Sequence, residues 1–116
     1  KWYIRAADLG FVVAQYNLGL MYMQGQGVPQ DNKIAVKWYT LAAEQGFVTA
    51  QFNLGFMYAM GQGVIKDNTR AHMWWNIAAS KGDKKSGTNR DKLEKQMTPT
   101  QIKVSRDLAR KWMEKR

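Results

Sequence analysis

Two glycine-rich tetrapeptides are the first candidates for chemistry, since the letters GQGV occur at residues 25–28 and again at 61–64. A Gly-x-Gly loop binds phosphate when it joins a strand to the start of a helix, where backbone amides point at the anion. Here each tetrapeptide follows a helical pattern, and no Lys–Ser or Lys–Thr pair comes directly after it. We therefore predict that the two tetrapeptides are turns in a repeated helical scaffold rather than phosphate loops.

The single histidine is the next candidate, and the chain contains no cysteine. A metal site built on His72 within a helix would need ligands three or four residues away, where Asn68, Thr69, Trp75 and Asn76 stand instead. We therefore predict neither a metal nor a cofactor. We interpret His72 as a residue of repeat-to-repeat packing or of the surface.

A carboxylate pair is the third candidate, because Asp31 and Asp67 occupy equivalent positions 36 residues apart. Each stands just before a helical pattern, where a carboxylate accepts hydrogen bonds from the first-turn amides as an N-cap. No nucleophile–base or carboxylate pair can be named from the sequence, so we predict that the protein is not an enzyme. A hydrolase acting on cell-wall-like substrates is the alternative of that class.

These residues belong to an internal repeat with a period of 36 residues. Residues 11–46 and 47–82 align without a gap and are identical at 20 positions. The same period places tryptophan at positions 2, 38 and 74. We predict four segments: the second helix of a truncated repeat, two full repeats, and a degenerate repeat with a C-terminal capping helix. Their bounds are residues 1–10, 11–46, 47–82 and 83–116.

Each full repeat reads as two helices. In the first helix, small and large apolar residues recur at helical spacing. Gly25 and Gly61 then supply a left-handed stop. A second helix starts after Asp31 or Asp67. The stripe of the first helix comprises Ala14, Leu18, Gly19 and Tyr22, repeated as Ala50, Leu54, Gly55 and Tyr58, and that of the second comprises Ala35, Trp38 and Ala42, repeated as Ala71, Trp74 and Ala78.

This pattern resembles the Sel1-like repeat, a relative of the tetratricopeptide repeat. The resemblance implies an all-α fold, an α/α solenoid wound as a right-handed superhelix, and a scaffold or adaptor that binds other proteins in bacteria. It also suggests the periplasm or secretion, with the cytoplasm left open. The matching residues are Ala14, Leu18, Gly19, Tyr22, Gly25, Gly27, Val28, Asp31, Ala35, Trp38, Ala42, Ala43 and Gly46, and all thirteen recur 36 residues later.

The C-terminal segment resembles the helix that closes such arrays. Thr98 as N-cap, Pro99 in the first turn and Gln101 three residues after the cap predict its start. Four residues are then expected to cover the end of the last repeat. They are Ile102, Leu108, Ala109 and Trp112.

In the related tetratricopeptide fold the first helices line the concave face, so we predict a partner-binding stripe there. Its apolar and aromatic side chains suit a peptide groove. The family resemblance implies that its asparagines form hydrogen bonds with the backbone of an extended peptide. The alternative is that the aromatic residues only pack between neighbouring first helices. The predicted concave face comprises Val13, Tyr16, Asn17, Leu20, Met23, Thr49, Phe52, Asn53, Phe56 and Met60.

The net charge of +9 is concentrated in the last third of the chain. Residues 1–80 hold six basic and four acidic residues, whereas residues 81–116 hold twelve and five. A basic anion- or nucleic-acid-binding module is therefore the second alternative. Interleaved acids and the scarcity of aromatics in this segment favour a solvated helix face and disfavour nucleic acid as a partner. Self-association through the open N-terminal end of the array is a further expectation.

Overall fold

The computed structural model describes residues 2–116, and their side chains from residue 4 onward, as seven α-helices without a strand. The helices are α1 (Trp2–Asp8), α2 (Val12–Gln24), α3 (Asn32–Glu44), α4 (Val48–Met60), α5 (Asn68–Ser80), α6 (Lys84–Glu94) and α7 (Pro99–Glu114). Each of α1 to α5 packs on the helix that follows it, and α7 packs on α5. The predicted all-α solenoid with a C-terminal helix is confirmed. Lys1, the first residue of the predicted 1–10 segment, lies outside the described residues.

The predicted helix boundaries follow from caps and glycines. Asp31 accepts hydrogen bonds from the backbone amides of Lys33 and Ile34 at 2.9 and 3.1 Å. Asp67 accepts from the amide of Arg70 at 3.1 Å. At the C-terminal end of the preceding helix, Gly25 terminates α2 in the left-handed conformation with φ +70°. Both aspartates are therefore caps, as predicted.

The GQGV segments are the turns between paired helices, as predicted. Gly27 and Gly63 both have positive φ, at +75° and +73°. Their surroundings differ, because a Cβ on Gly27 would meet only the Met21 methyl at 3.6 Å. A Cβ on Gly63 would instead overlap the backbone carbonyl of Asn32 at the start of α3. The second turn therefore packs tightly on the preceding repeat.

Small residues on the first helices allow their partner helices to approach. A Cβ added to Gly19 would lie 2.9 Å from the ring of Tyr39, and one added to Gly55 would lie 2.5 Å from the ring of Trp75. Both distances are below any normal carbon contact. Glycine at these two positions is thus required by the aromatic residue that covers it.

Buried glutamines connect successive repeats. Nε2 of Gln15 donates to the carbonyl oxygen of Ala7 at 3.3 Å, and Nε2 of Gln51 donates to that of Ala43 at 3.1 Å. Both carbonyls lie in the last turn of the preceding helix, where each also accepts a hydrogen bond from a glycine amide just beyond the helix, Gly10 for Ala7 and Gly46 for Ala43. Each glutamine therefore ties the first helix of one repeat to the end of the preceding helix.

The C-terminal helix closes the array through both ends. Thr98 forms the predicted capping box with Gln101, and the ring of Trp112 packs edge-on against Trp74 with centroids 5.8 Å apart. Ala109 is fully buried. Leu108 departs from the prediction, because 39% of it is exposed. It stands one residue before Ala109 and so points to a different side of α7.

Candidate functional site

The predicted concave face divides into exposed and half-buried side chains. Phe56 and Met60 on α4 are large apolar residues that are 44% and 59% exposed, and Val13 on α2 is 56% exposed. Asn17 and Thr49 are also exposed. The half-buried members are Tyr16, Leu20, Met23, Phe52 and Asn53.

Tyr16 has a packing role between repeats. Its ring lies 5.7 Å from that of Tyr39 and 5.1 Å from that of Phe47, measured between centroids. Met23 also faces the Tyr39 hydroxyl, with the oxygen 3.9 Å from its sulfur. For Tyr16 the packing alternative therefore describes the observed contacts. Phe56 and Met60, in contrast, remain exposed to solvent.

A hollow of about 250 Å³ lies where three first helices meet one face of the molecule. Met23 comes from α2, Phe52 and Phe56 come from α4, and Asn89 comes from α6. Asn53 and Met57 complete the α4 side. The helices α2, α4 and α6 therefore line one continuous face, which brings residues of all three repeats together.

Asn89 is a face residue that the sequence analysis missed. It stands 36 residues after Asn53, which itself stands 36 residues after Asn17. Helix α6 thus stands at the first-helix position of the predicted degenerate repeat, and it presents an asparagine at the same register as α2 and α4. Continuing the period by one more repeat would have identified it. The apolar stripe of this segment is nearly absent, so no apolar pattern marked Asn89 as a residue of the face.

Tyr39 lies beneath this face and is fully buried. Burial and, secondarily, the neighbouring Tyr16 raise the pKa of the Tyr39 phenol to about 12, although a hydrogen bond with the Asn53 side chain lowers it. The ring therefore stays protonated across the neutral and mildly alkaline range. Asn53 thus has one contact inside the fold as well as its place on the face.

A buried polar network joins α5, α6 and α7. His72 is fully buried, its Nδ1 lies 2.5 Å from Oγ of Ser105, and its Nε2 lies 2.7 Å from Oε2 of Glu94. Arg106 approaches the same carboxylate oxygen at 3.7 Å. When Nε2–H donates to the carboxylate, Nδ1 accepts from the Ser105 hydroxyl. His72 therefore packs between repeats, and it does so through hydrogen bonds.

This network corrects the expectation that no nucleophile–base pair could be named. Ser105 and Glu94 lie 33 and 22 residues from His72, so no short motif reveals them. The three side chains are hydrogen-bonded in the order serine, histidine, carboxylate, which is the order found in a hydrolase triad. However, Ser105 and His72 are both fully buried, so a substrate carbonyl has no access to the hydroxyl. The network is therefore structural.

The register of the repeats explains how these three polar residues meet. Ser105 stands seven residues after its N-cap, as Trp38 and Trp74 do. Glu94 stands 36 residues after Tyr58, and His72 occupies in its repeat the position of Val36. Three apolar positions of the repeat pattern have thus become polar, one in the second full repeat and two in the C-terminal segment. This joint departure from the apolar pattern was the only sign in the sequence that the three residues form a network.

Two further observations concern metals and membranes. Between residues 2 and 116, no group of three or more His, Asp and Glu side chains is placed to hold a metal ion. In the same part of the chain, no helix combines the length and apolar character needed to cross a membrane.

Comparison with known families identifies the repeats. The family model described as the Sel1 repeat matches residues 1–11, 12–47, 48–83 and 98–115. The chain belongs to the Sel1 repeat family. Sel1 repeats are generally protein–protein interaction modules, and the fold is typically a non-catalytic scaffold. The predicted resemblance is confirmed.

Two solved structures of bacterial proteins are similar to this Sel1 repeat chain. A protective antigen of uropathogenic Escherichia coli strains displaying an SLR fold has a TM-score of 0.91 and 38% identity, over 97% of this chain and 24% of its own. A Sel1 repeat protein from Oxalobacter formigenes has a TM-score of 0.76 and 40% identity, over 78% and 68%. This chain therefore spans about a quarter of the length of the first. No curated protein matches it.

Proposed function

We propose that this chain is a non-catalytic interaction module that binds a segment of another protein along the face of α2, α4 and α6. The observation that carries the proposal is the hollow lined by all three first helices, with Phe56 and Met60 exposed at its side. Exposed large apolar residues beside a hollow are typical of binding surfaces, because a partner removes them from water. Family membership supports the same class of function.

The size and lining of the hollow favour a protein side chain as its ligand. A volume of about 250 Å³ is below the roughly 300–1,000 Å³ of small-molecule sites. Phe52, Phe56 and Met57 supply apolar surface, and Asn53 and Asn89 supply amide donors and acceptors at equivalent repeat positions. An extended segment would place one apolar side chain in the hollow and its backbone along the asparagines.

The test is affinity capture from a bacterial lysate with matched variants. We expect the double variant Phe56→Ala, Met60→Ala to capture about tenfold less partner than the parent chain does. Truncating a central apolar contact costs at least about 1.4 kcal/mol of binding free energy. The control combines Ile65→Ala with Leu108→Ala, which are 90% and 39% exposed and lie off this face. Both double variants should melt like the parent chain.

Equal capture by the two double variants would contradict the proposed face. The basic C-terminal segment, the remaining alternative, would then become the surface to examine. Binding there should fall steeply with added salt, whereas binding in an apolar hollow should change less. The predicted self-association at the N-terminal end stays a prediction.

A further inference from the structure

The face just described carries charge on one side only. Helices α2 and α4 contain no Asp, Glu, Lys or Arg. Helix α6 borders the same face with Lys84, Lys85 and Lys92. The cations of the basic C-terminal segment are thus brought against an otherwise uncharged apolar surface.

Three adjoining hollows connect these lysines to the apolar residues. The hollow of about 250 Å³ shares Phe56 and Asn89 with a second of about 230 Å³ that includes Lys92. It shares Phe52 and Asn89 with a third of about 270 Å³ that includes Lys84 and Lys85. We call the three together the α4–α6 groove. Asn89 lies at its centre, and the lysines lie toward its two ends.

No carboxylate lines the α4–α6 groove, whereas those elsewhere on α6 have partners of their own. Asp91 pairs with Arg90 at 3.0 Å, and Glu94 is bound to His72. Asp83, the N-cap, accepts from the amide of Ser86. The ammonium of Lys85 lies 5.4 Å from the ring centroid of Phe52, which holds one charge at the edge of the apolar surface. The groove therefore presents positive charge that nothing in its lining neutralises.

We infer that the partner segment is acidic, with an apolar side chain between its carboxylates. This rests on the proposed function, and it specifies the chemistry of the segment that the face binds. Lys84 and Lys92 are eight residues apart on a helix, or about 12 Å. An extended chain covers that distance in three to four residues. The segment thus carries Asp or Glu three or four positions apart, with Phe, Leu or Met between them.

The apolar and the charged contacts of the segment have different roles. The apolar residue fills the hollow between Phe52 and Phe56, and the carboxylates select the register and orientation of the segment. Rim charges of this kind affect association rate and salt dependence more than the final affinity. Binding should therefore weaken with salt, but only in part, because the apolar contact is retained.

The first experiment is selection from a library of random twelve-residue peptides displayed on phage. We expect the selected peptides to be enriched in Asp or Glu around an apolar residue. A selected peptide is then synthesised beside an analogue in which Asn and Gln replace its acids, and both are measured by fluorescence anisotropy. The analogue should bind about tenfold more weakly, since each exposed ion pair contributes a small factor and two or three are lost.

The second experiment changes the protein. Replacing Lys84, Lys85 and Lys92 together by Gln should weaken binding of the acidic peptide about tenfold. The control replaces three exposed lysines outside the groove by Gln and alters the net charge equally, so binding should stay within twofold. The control lysines are Lys33, Lys111 and Lys115.

The outcomes separate this inference from the proposed function. Selected peptides that are not acidic, yet are lost with the Phe56 and Met60 variant, would overturn the acidic segment and leave the binding face intact. Equal weakening by both lysine triples would overturn it as well, because net charge alone would then explain binding. A twelve-residue oligothymidylate that binds the groove as tightly as the peptide would assign the lysines to nucleic acid. Failure to select any peptide would contradict both proposals.

Discussion

The buried contact between Ser105 and His72 yields the most specific prediction about what holds the C-terminal helix in place. Replacing Ser105 with Ala removes the hydroxyl and leaves Nδ1 of His72 without its partner in a site that no water reaches. A buried polar atom that loses its hydrogen bond costs about 1–3 kcal/mol. We therefore expect the free energy of unfolding to fall by about 2 kcal/mol, which corresponds to roughly 8 °C in melting temperature for a chain of this size.

The loss should be concentrated at the C-terminal end. In a solenoid each element contacts mainly its neighbours, so weakening one interface opens the adjacent helix first. Urea unfolding gives the total change, and amide hydrogen exchange shows where it falls. Protection should drop in α7 and remain near the parent values in α2 and α3.

The matched control is Thr100→Ala, which removes a hydroxyl from an exposed position in the first turn of α7. It should change stability by less than about 0.5 kcal/mol. An equally mild effect of Ser105→Ala, or unchanged exchange in α7, would refute this role of the buried hydroxyl. Either result would mean that the His72 ring is satisfied without the serine.

Three further changes test the turns, the cap and the buried phenol. Gly63→Ala should destabilise the fold by at least about 1 kcal/mol more in urea unfolding than Gly27→Ala, because both adopt positive φ but only the former meets the carbonyl of Asn32; equal losses would show that the turn gives way. Thr98→Ala should cost about 1 kcal/mol through loss of the capping box, and no change in melting would discount it. Folding raises the pKa of Tyr39 from 10.0 to about 12. The protonated ring therefore contributes its full stability below pH 10, and this contribution is lost as the pH rises toward 12. Relative to Tyr39→Phe, the parent chain should therefore lose about 2–3 kcal/mol over that range, whereas parallel pH profiles would contradict the raised pKa.

Most of the solenoid could be predicted because its signals are local. The caps at Asp31 and Thr98 and the stop at Gly25 each depend on a few neighbouring residues, and the 36-residue period repeats them. Burial of Leu18 and Leu54 follows from helical spacing alone. The prediction for Leu108 was wrong because apolar character does not by itself specify which side of a helix a residue occupies.

The parts that escaped prediction depend on contacts between distant residues. Ser105 and Glu94 meet His72 only after two further helices have packed, so no local pattern joins the three residues. Asn89 was missed because α6 keeps the period while losing the apolar stripe that identifies a helix. The ten residues of the predicted concave face were chosen by spacing, which does not separate a packed residue such as Tyr16 from an exposed one such as Phe56.

The most direct test of the binding face is a ¹H–¹⁵N NMR titration of this chain with a peptide selected on it. We predict that shift changes concentrate on α2, α4 and α6, including the side-chain amides of Asn53 and Asn89, and that they vanish with the Phe56 and Met60 variant. Shift changes confined to α7 or to the GQGV turns would contradict the account. They would place the binding surface of this Sel1 repeat chain elsewhere.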